Sequence, residues 1–204
     1  MPPNNLDTEA GIMIKKSIAG LIAFAAVLSA NPYESTQEEI DAVKTVGQKA
    51  SSELLKTLGG NLQAHLKAGG AMDAFHFCSD QAYPLTESVD KELGAEVAVK
   101  RVSLKYRNPA NAPQKDEKAI LEALETLKAN NAVLPAEIVE VVGDGTYKYY
   151  KPLLINKEAC LKCHGDIDKT PPLADAIRKR YPEDTATGYK MNDIRGAIVV
   201  TVKK

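Results

Sequence analysis

The segment Glu137-Ile-Val-Glu-Val-Val142-Gly-Asp-Gly-Thr-Tyr147-Lys-Tyr-Tyr-Lys-Pro-Leu-Leu-Ile155 decides the fold class of this 204-residue chain. Its two arms are rich in β-branched and aromatic residues, which favour strands. Between them stands Gly143-Asp-Gly145, a turn sequence typical of tight hairpins. Strands joined by such a turn run antiparallel. The segment therefore predicts a β-hairpin and, with it, an antiparallel sheet.

Patterns on both sides of the hairpin extend this sheet into an α+β domain. A capping box at Ser35 or Thr36 predicts the start of a long N-terminal helical region that reaches Gly69-Gly70. Pro84 predicts a kink or break near Ala82-Tyr83 in the next helix. The other predicted elements are that helix over 72–93, a strand over 96–106, a loop over 107–113, a helix over 115–129, a short helix over 172–181 and a closing strand over 196–202.

A second motif, Cys160-Leu-Lys-Cys163-His164, follows directly after the hairpin and indicates a cofactor. Two cysteines three positions apart, with an adjacent histidine, form the attachment motif for c-type haem. Each thiol forms a thioether with one vinyl group, and the neighbouring imidazole reaches the iron. We therefore expect one covalently attached haem c per chain, with Cys160 and Cys163 as attachment sites and His164 as the proximal iron ligand.

Two other chemistries use similar residues. Cys160 and Cys163 suit a redox-active dithiol, but such pairs normally open a helix after a strand in a thioredoxin-like unit. A zinc site that adds Cys78 and a histidine is also conceivable. The adjacent Cys163 and His164 would struggle to reach one small tetrahedral ion together. Haem is the favoured interpretation, and it also supplies a flat apolar body to a chain with 5% aromatic residues and no Trp.

The beginning of the chain carries the pattern of a secretory signal peptide. Lys15 and Lys16 precede an apolar run over 18–28, and the small residues Ser29 and Ala30 follow it. The run is shorter than the roughly 20 residues that a spanning helix needs. An exported protein in an oxidising compartment agrees with covalent haem attachment, so we expect a periplasmic location.

The same pattern predicts the domain organisation. Residues 1–30 are expected to be an N-terminal extension plus the signal peptide, and residues 31–204 a single haem c-binding domain. The polar stretch over 1–12 is unusual before a signal peptide, and a start of translation at Met13 would remove it. If the signal peptide stays uncleaved, the segment becomes a membrane anchor; otherwise no strong membrane affinity is expected.

Charge excludes several classes of partner. The chain has 26 Lys and Arg against 27 Asp and Glu, a net charge of −1, and no basic cluster. Such a chain has no long-range field with which to gather nucleic acid or anionic lipid. The expected partners are a redox or signalling protein and a diatomic gas.

The sixth iron ligand is open from composition alone. Five side chains have suitable donor atoms: Cys78, His65, His76, Met72 and Met191. Cys78 differs from the others because it is a third cysteine with no obvious disulfide partner. A small buried hydrophobic role would also explain it.

The chain resembles a family of small exported haem c domains with a PAS-like fold, long catalogued as a domain of unknown function. Members occur alone and as the sensor regions of histidine kinases. Four stretches carry the resemblance: Ala74-Phe-His-Phe-Cys78-Ser-Asp-Gln-Ala82-Tyr-Pro84, Arg101-Val-Ser-Leu-Lys-Tyr-Arg107-Asn108-Pro109-Ala-Asn111-Ala-Pro113, the segment from Tyr150 to Gly165 with the Cys-Leu-Lys-Cys-His motif, and Gly188-Tyr-Lys-Met-Asn-Asp193-Ile-Arg195-Gly196-Ala197-Ile-Val.

The resemblance implies a PAS-like antiparallel sheet with flanking helices, and a haem with His164 on one side and Cys78 on the other. A thiolate ligand stabilises ferric iron and lowers the reduction potential, because the axial ligand sets the potential. Arg107 is a candidate contact to a haem propionate, and Arg101 and Arg195 are weaker candidates, since guanidinium suits carboxylates.

Three functions compete on this basis. The favoured one is a redox or gas sensor in which Cys78 is displaced from the iron. The alternative is a single-haem electron-transfer cytochrome with unchanging ligation. A peroxidase-like enzyme is the third, although the sequence offers no convincing acid–base set, so an enzymatic role is not the expectation.

Overall fold

The computed structural model describes residues 34–204. The predicted signal peptide, the alternative start at Met13 and the domain boundary at residue 30 lie outside the described residues. They stay predictions.

The N-terminal helix α1 spans Gln37–Asp80 and begins at a capping box in which Thr36 and Glu39 satisfy each other's free backbone N–H groups. Gly70 interrupts it with φ 72° and ψ −156°, a backbone conformation outside the helical region. The chain bends sharply at Gly70. The bend is shown by the rings of His65 and Phe77, which stack with their centroids 4.8 Å apart. Residues twelve positions apart in a straight helix are separated by about 18 Å. The two parts of α1, 37–69 and 71–80, therefore fold against each other.

The elements that follow α1 alternate helices with the strands of one sheet. Their bounds in chain order are α2 Ala82–Glu92, β1 Val97–Val102, α3 Lys115–Ala129, β2 Ile138–Gly143, β3 Thr146–Leu154, α4 Glu158–His164, α5 Pro171–Arg180 and β4 Ile194–Lys203, with short 3₁₀ turns at Pro109–Asn111 and Ile167–Lys169. The sheet is antiparallel with strand order β1-β4-β3-β2. This is the α+β class with a PAS-like sheet that the sequence predicts.

The two faces of the sheet bury different clusters. On one face α1 and α2 pack through Val43, Leu54 and Val89 against Tyr149 and Val200. On the other face α3 packs against β1, β3 and β4, where the buried residues are Leu121, Val102, Tyr150, Ala197 and Val199. Each large apolar side chain buried in this way contributes roughly 1.5–3 kcal/mol. The haem motif on α4 lies beyond these cores, beside a third cluster around Phe75, Leu173 and Ile177.

Most predicted elements agree with the structure to within a few residues. The break before Pro84 falls at Gln81, and the 115–129 helix has the predicted bounds. The predicted strand over 96–106 is too long, because β1 ends at Val102. Its partner β4 reaches Gly196 there, with φ 151°, where a Cβ would lie 2.1 Å from the Val102 carbonyl oxygen. The ladder therefore ends, and Ser103 donates its backbone N–H to Asn111 instead.

Candidate cofactor site

One cavity brings together all five residues predicted for the site. It encloses about 760 Å³ of empty space, part of it open to solvent, and its wall includes Cys78, Arg107, Cys160, Cys163 and His164. These residues come from α1, the loop after β1, and α4. Distant parts of the chain therefore converge on the motif that the sequence assigned to haem.

Helix α4 presents the motif to the cavity. Its seven residues, Glu158–His164, place Cys160 and Cys163 one helical turn apart, with His164 at the last helical position. Gly165 ends the helix, and a Cβ on this residue would lie 2.7 Å from the Leu161 carbonyl oxygen. Glycine is required here so that the chain can leave the helix immediately after the imidazole.

The imidazole of His164 is held in one tautomer. Its Nδ1 lies 2.8 Å from the carbonyl oxygen of Ala186, which can only accept a hydrogen bond, so Nδ1 carries the proton. Nε2 is then the nitrogen with a free lone pair. Burial lowers the pKa of His164 well below its usual value, and Arg195 and Arg107 lower it further. A neutral imidazole whose other N–H donates to a backbone carbonyl is the arrangement typical of histidine that ligates metals.

Cys78 lies on the second part of α1 and lines the same cavity. The residue is exposed to solvent. Desolvation by the protein atoms around it nevertheless raises the pKa of its thiol to about 11, and Cys163 has a smaller effect in the same direction. Arg101 and Arg107 act in the opposite sense. The thiol is therefore a soft sulfur donor in the wall of the cavity that also contains the His164 imidazole.

The four other candidates for a sixth ligand do not line this cavity. The Nδ1 atom of His65 forms a hydrogen bond with Oδ2 of Asp73 at 2.9 Å, and the His65 ring stacks on Phe77. His76 and Met191 are exposed. Met72 is half-buried and packs beside the Phe75 cluster. Among the residues that the structure describes, Cys78 is therefore the one of the five predicted donors that shares a cavity with His164.

Arg107 fastens the haem segment to the rest of the domain. Its Nε lies 3.0 Å and its Nη2 2.9 Å from Oδ2 of Asp184, and Nη2 also donates to the Cys163 carbonyl oxygen at 2.7 Å. The Oδ1 atom of Asp184 accepts a hydrogen bond from the backbone N–H of Ala186, and the carbonyl oxygen of Ala186 accepts one from His164. One side chain thus connects the Cys163 backbone to the loop that holds the imidazole.

Two polar groups in the cavity wall lack partners. The Nε of Arg101 and the Oγ of Ser79 are buried and make no hydrogen bond to any described residue. Arg101 was a weak candidate for a propionate contact, whereas nothing in the sequence pointed to Ser79. Other wall residues that the sequence analysis missed are Leu62, Leu66, Phe75, Ala159 and Tyr181.

The donor set fits a haem c. Two thiols on one helix suit thioether attachment, and His164 and Cys78 offer nitrogen and sulfur donors. Leu62, Leu66 and Phe75 supply apolar wall for the flat face of a porphyrin. Residues 34–204 contain no cluster of three or more His, Cys, Asp or Glu side chains arranged to hold a metal ion.

The length and hydropathy of the helices decide whether any of them could cross a membrane. None of those within residues 34–204 combines the length and the apolar character that crossing a bilayer requires.

Comparison with known proteins agrees with this architecture. The chain is similar to the crystal structure of the cyanobacterial haem protein Tll0287, with a TM-score of 0.58 and 23% sequence identity, over 83% of this chain and 98% of that chain. At this identity the likeness shows the fold. No significant match is found among curated proteins. The sequence model of the Tll0287-like family matches residues 22–203. The chain therefore belongs to the Tll0287-like family.

Proposed function

We propose that this protein binds one haem c through Cys160 and Cys163, with His164 and Cys78 as axial ligands, and acts in the periplasm as a redox or gas sensor. One observation carries the proposal: Cys78 on α1 and His164 on α4 line a single cavity whose wall also contains both attachment cysteines. The solved relative that shares the fold is a haem protein, which supports the same cofactor here.

When bound, the haem supplies an iron atom that changes oxidation state and can exchange one axial ligand. The chain's own residues do the rest. Ala186 keeps the proton of His164 on Nδ1 and so keeps Nε2 available. Arg107 and Asp184 fix the loop that holds this carbonyl group. The position of the proximal donor is thereby determined before any signal arrives.

The cysteine side of the cavity is built differently. Cys78 lies on the part of α1 that follows Gly70, where the helix is interrupted. A hydrogen-bonded pair, His65 and Asp73, connects the two parts across the interruption. A displacement of Cys78 would therefore act on Gly70 and, through the His65–Asp73 contact, on the 37–69 part of α1. This relation supports Cys78 as the displaceable ligand and His164 as the fixed one.

A single-haem electron-transfer cytochrome is the second candidate. Leu66 and Ala159 belong both to the cavity wall and to an adjacent open groove that also contains the exposed Lys162. A cofactor edge reachable from solvent at this point would suit electron exchange with a partner protein. An enzyme is less well supported, because the cavity wall in the described region includes no Asp or Glu that could serve as an acid–base group.

The test compares absorption spectra of holoprotein made with haem c maturation machinery. Ferric, ferrous and ferrous-plus-CO forms are recorded for the wild type, Cys78→Ala and His76→Ala. His76 is the matched control, since it is two residues away, exposed and outside the cavity wall. We expect a changed ferric spectrum in Cys78→Ala alone and CO binding to the reduced wild type.

The opposite results separate the two functions. Identical spectra in the wild type and Cys78→Ala, with no CO binding, would contradict a displaceable Cys78 and favour the electron carrier. Absence of covalently bound haem in the pyridine haemochrome assay would refute both.

A further inference from the structure

The cavity wall carries more positive charge than its protein partners neutralise. Three guanidinium groups line it, those of Arg101, Arg107 and Arg195, and no Asp or Glu of the described region does. Buried charge is stable only when it is paired and hydrogen-bonded. The three arginines differ in how far the protein satisfies this requirement.

Arg107 and Arg195 have partners within the protein. Arg107 forms a buried ion pair with Asp184. Arg195 forms no ion pair with a described carboxylate, but its Nη1 donates to Ser103 Oγ at 2.7 Å and to the Lys105 carbonyl oxygen at 3.1 Å. Its guanidinium also lies 5.5 Å from the centroid of the Tyr189 ring. Arg195 adds positive charge to the wall while its Nη1 group is engaged.

Arg101 has fewer partners within the protein than the other two arginines. Its one hydrogen bond in the described region is a long contact of 3.3 Å from Nη2 to the Ala82 carbonyl oxygen, and its buried Nε has no partner. Burial lowers the pKa of Arg101, and the charged or titratable groups that act on it are Cys78, Arg195 and Tyr181. A guanidinium remains protonated in proteins, so this group requires an anion.

Ser79 supplies a second free donor in the same wall. Its Oγ is buried without a hydrogen-bond partner, as is Arg101 Nε, and both residues line the cavity. A carboxylate accepts hydrogen bonds from N–H and O–H donors and is attracted by a positive charge that lacks an ion pair. A neutral ligand would satisfy the donors but leave the charge uncompensated.

We propose that Arg101 Nε and Ser79 Oγ form the binding site for a carboxylate, namely a propionate of the haem, and that Arg107 instead fastens the haem segment. The assignment rests on the proposed function, because it takes the carboxylate from the cofactor. It also gives the two arginines of the cavity wall that lack ion pairs, Arg101 and Arg195, a source of negative charge.

The test is an infrared titration of the holoprotein. The haem carboxyl carbons are labelled with ¹³C, so that their bands separate from those of Asp and Glu. In the wild type we expect one propionate with a pKa at least about one unit below the ordinary carboxyl value, because a guanidinium stabilises the ionised form. Arg101→Gln should raise that pKa by about one unit or more. Ser79→Ala should raise it by less.

Two comparisons make the result decisive. Arg178→Gln removes an exposed guanidinium that pairs with Asp168 outside the cavity wall, and it should leave the labelled bands unchanged. If Arg101→Gln does not fold, the wild type alone still decides, since ordinary pKa values for both labelled carboxyls would overturn the assignment.

Failure of the site and failure of the proposed function give different results. Labelled haem that is bound, with a Cys78-dependent spectrum but carboxyl bands insensitive to Arg101→Gln, overturns only the carboxylate site. A protein that retains no labelled haem after maturation overturns both.

Discussion

The Nδ1 atom of His164 donates a hydrogen bond to the carbonyl oxygen of Ala186 at 2.8 Å. The two residues belong to α4 and to the loop before β4. Backbone bonds strengthen the connection, because Tyr189 donates to the His164 carbonyl and Gly188 to that of Gly165, each at 2.9 Å. The loop therefore fixes both the backbone and the tautomer of the predicted proximal ligand.

The ion pair between Arg107 and Asp184 should dominate the stability of this region. Their side chains are 12% and 5% exposed, and removal of one partner from a buried pair typically costs about 3–5 kcal/mol. We expect Arg107→Gln and Asp184→Asn each to cost about 3 kcal/mol, and the double variant to cost clearly less than the sum. Urea denaturation of the holoprotein measures these values.

The control for this cycle is the Arg178–Asp168 pair, with side chains 55% and 71% exposed. Its coupling should be much smaller than that of the buried pair, because exposed ion pairs contribute little. Strictly additive losses for Arg107 and Asp184 would show that the two side chains do not act together.

Alanine substitutions at two glycines of α1 should change the stability of the protein in opposite directions. A Cβ on Gly47 would lie 2.2 Å from Cγ of Tyr149, so Gly47→Ala forces helix and sheet apart at a cost of about 1–3 kcal/mol. Nothing lies within 4 Å of a Cβ on Gly59. Gly59→Ala should stabilise the helix by about 0.5–1 kcal/mol. Thermal denaturation should move the two midpoints in opposite directions, and a stabilised Gly47→Ala would contradict the close packing.

Gly70 should control the position of Cys78. Its φ of 72° and ψ of −156° belong to a region that essentially only glycine adopts. Gly70→Ala should therefore cost about 1–3 kcal/mol and change the ferric absorption spectrum, because the 71–80 part of α1 carries Cys78. Gly60→Ala is the control, since it lies in the regular helix with nothing within 4 Å of its Cβ. An unchanged spectrum in a destabilised Gly70→Ala would separate the bend from ligation.

Acid should weaken a second group of ion pairs, which lies on the α3 face of the sheet. There Lys148 contacts Asp116 and the fully buried Glu117, and Glu117 also pairs with Lys100 at 2.8 Å. Burial alone would raise the pKa of Asp116, but the hydrogen bond from Lys148 and further hydrogen bonds and charge outweigh it, so the pKa is lowered on balance.

The sign of the pH effect follows from this lowered pKa. Asp116 contributes stability above its unfolded pKa of about 3.9, and that contribution is lost as the pH falls through the lower folded pKa. We expect the free energy of unfolding to fall more steeply between about pH 5 and pH 3 in the wild type than in Asp116→Asn. Urea midpoints at several pH values test this, and parallel curves would exclude a role for Asp116.

Local sequence accounts for much of the fold. The Gly143-Asp-Gly145 turn adopts the positive φ values of a tight hairpin, 51° at Asp144 and 69° at Gly145. Helix α3 has its predicted bounds, and at its start the Glu117 carboxylate accepts a hydrogen bond from the backbone N–H of Gln114. The attachment motif is equally local, since helical spacing alone places Cys160 and Cys163 together. These features depend on residues that are neighbours in the chain.

The rest of the site depends on contacts between distant segments. Spacing offered five candidates for a sixth ligand, and only the bend at Gly70 brings Cys78 to the cavity that contains His164. The sequence offered Arg107 as a carboxylate contact of the haem, which stays a prediction; no local pattern connects this residue to Asp184, with which its guanidinium forms an ion pair.

The sequence by itself thus determined the antiparallel sheet and the covalent chemistry expected of Cys160, Cys163 and His164, because turn, helix and attachment motifs are read from consecutive residues. Tertiary structure alone decided which thiol shares the cavity, which carbonyl orients the imidazole and which guanidinium groups of the cavity wall lack an ion pair. Those relations depend on how α1, β1 and the loop before β4 pack together, and packing is set by the whole chain.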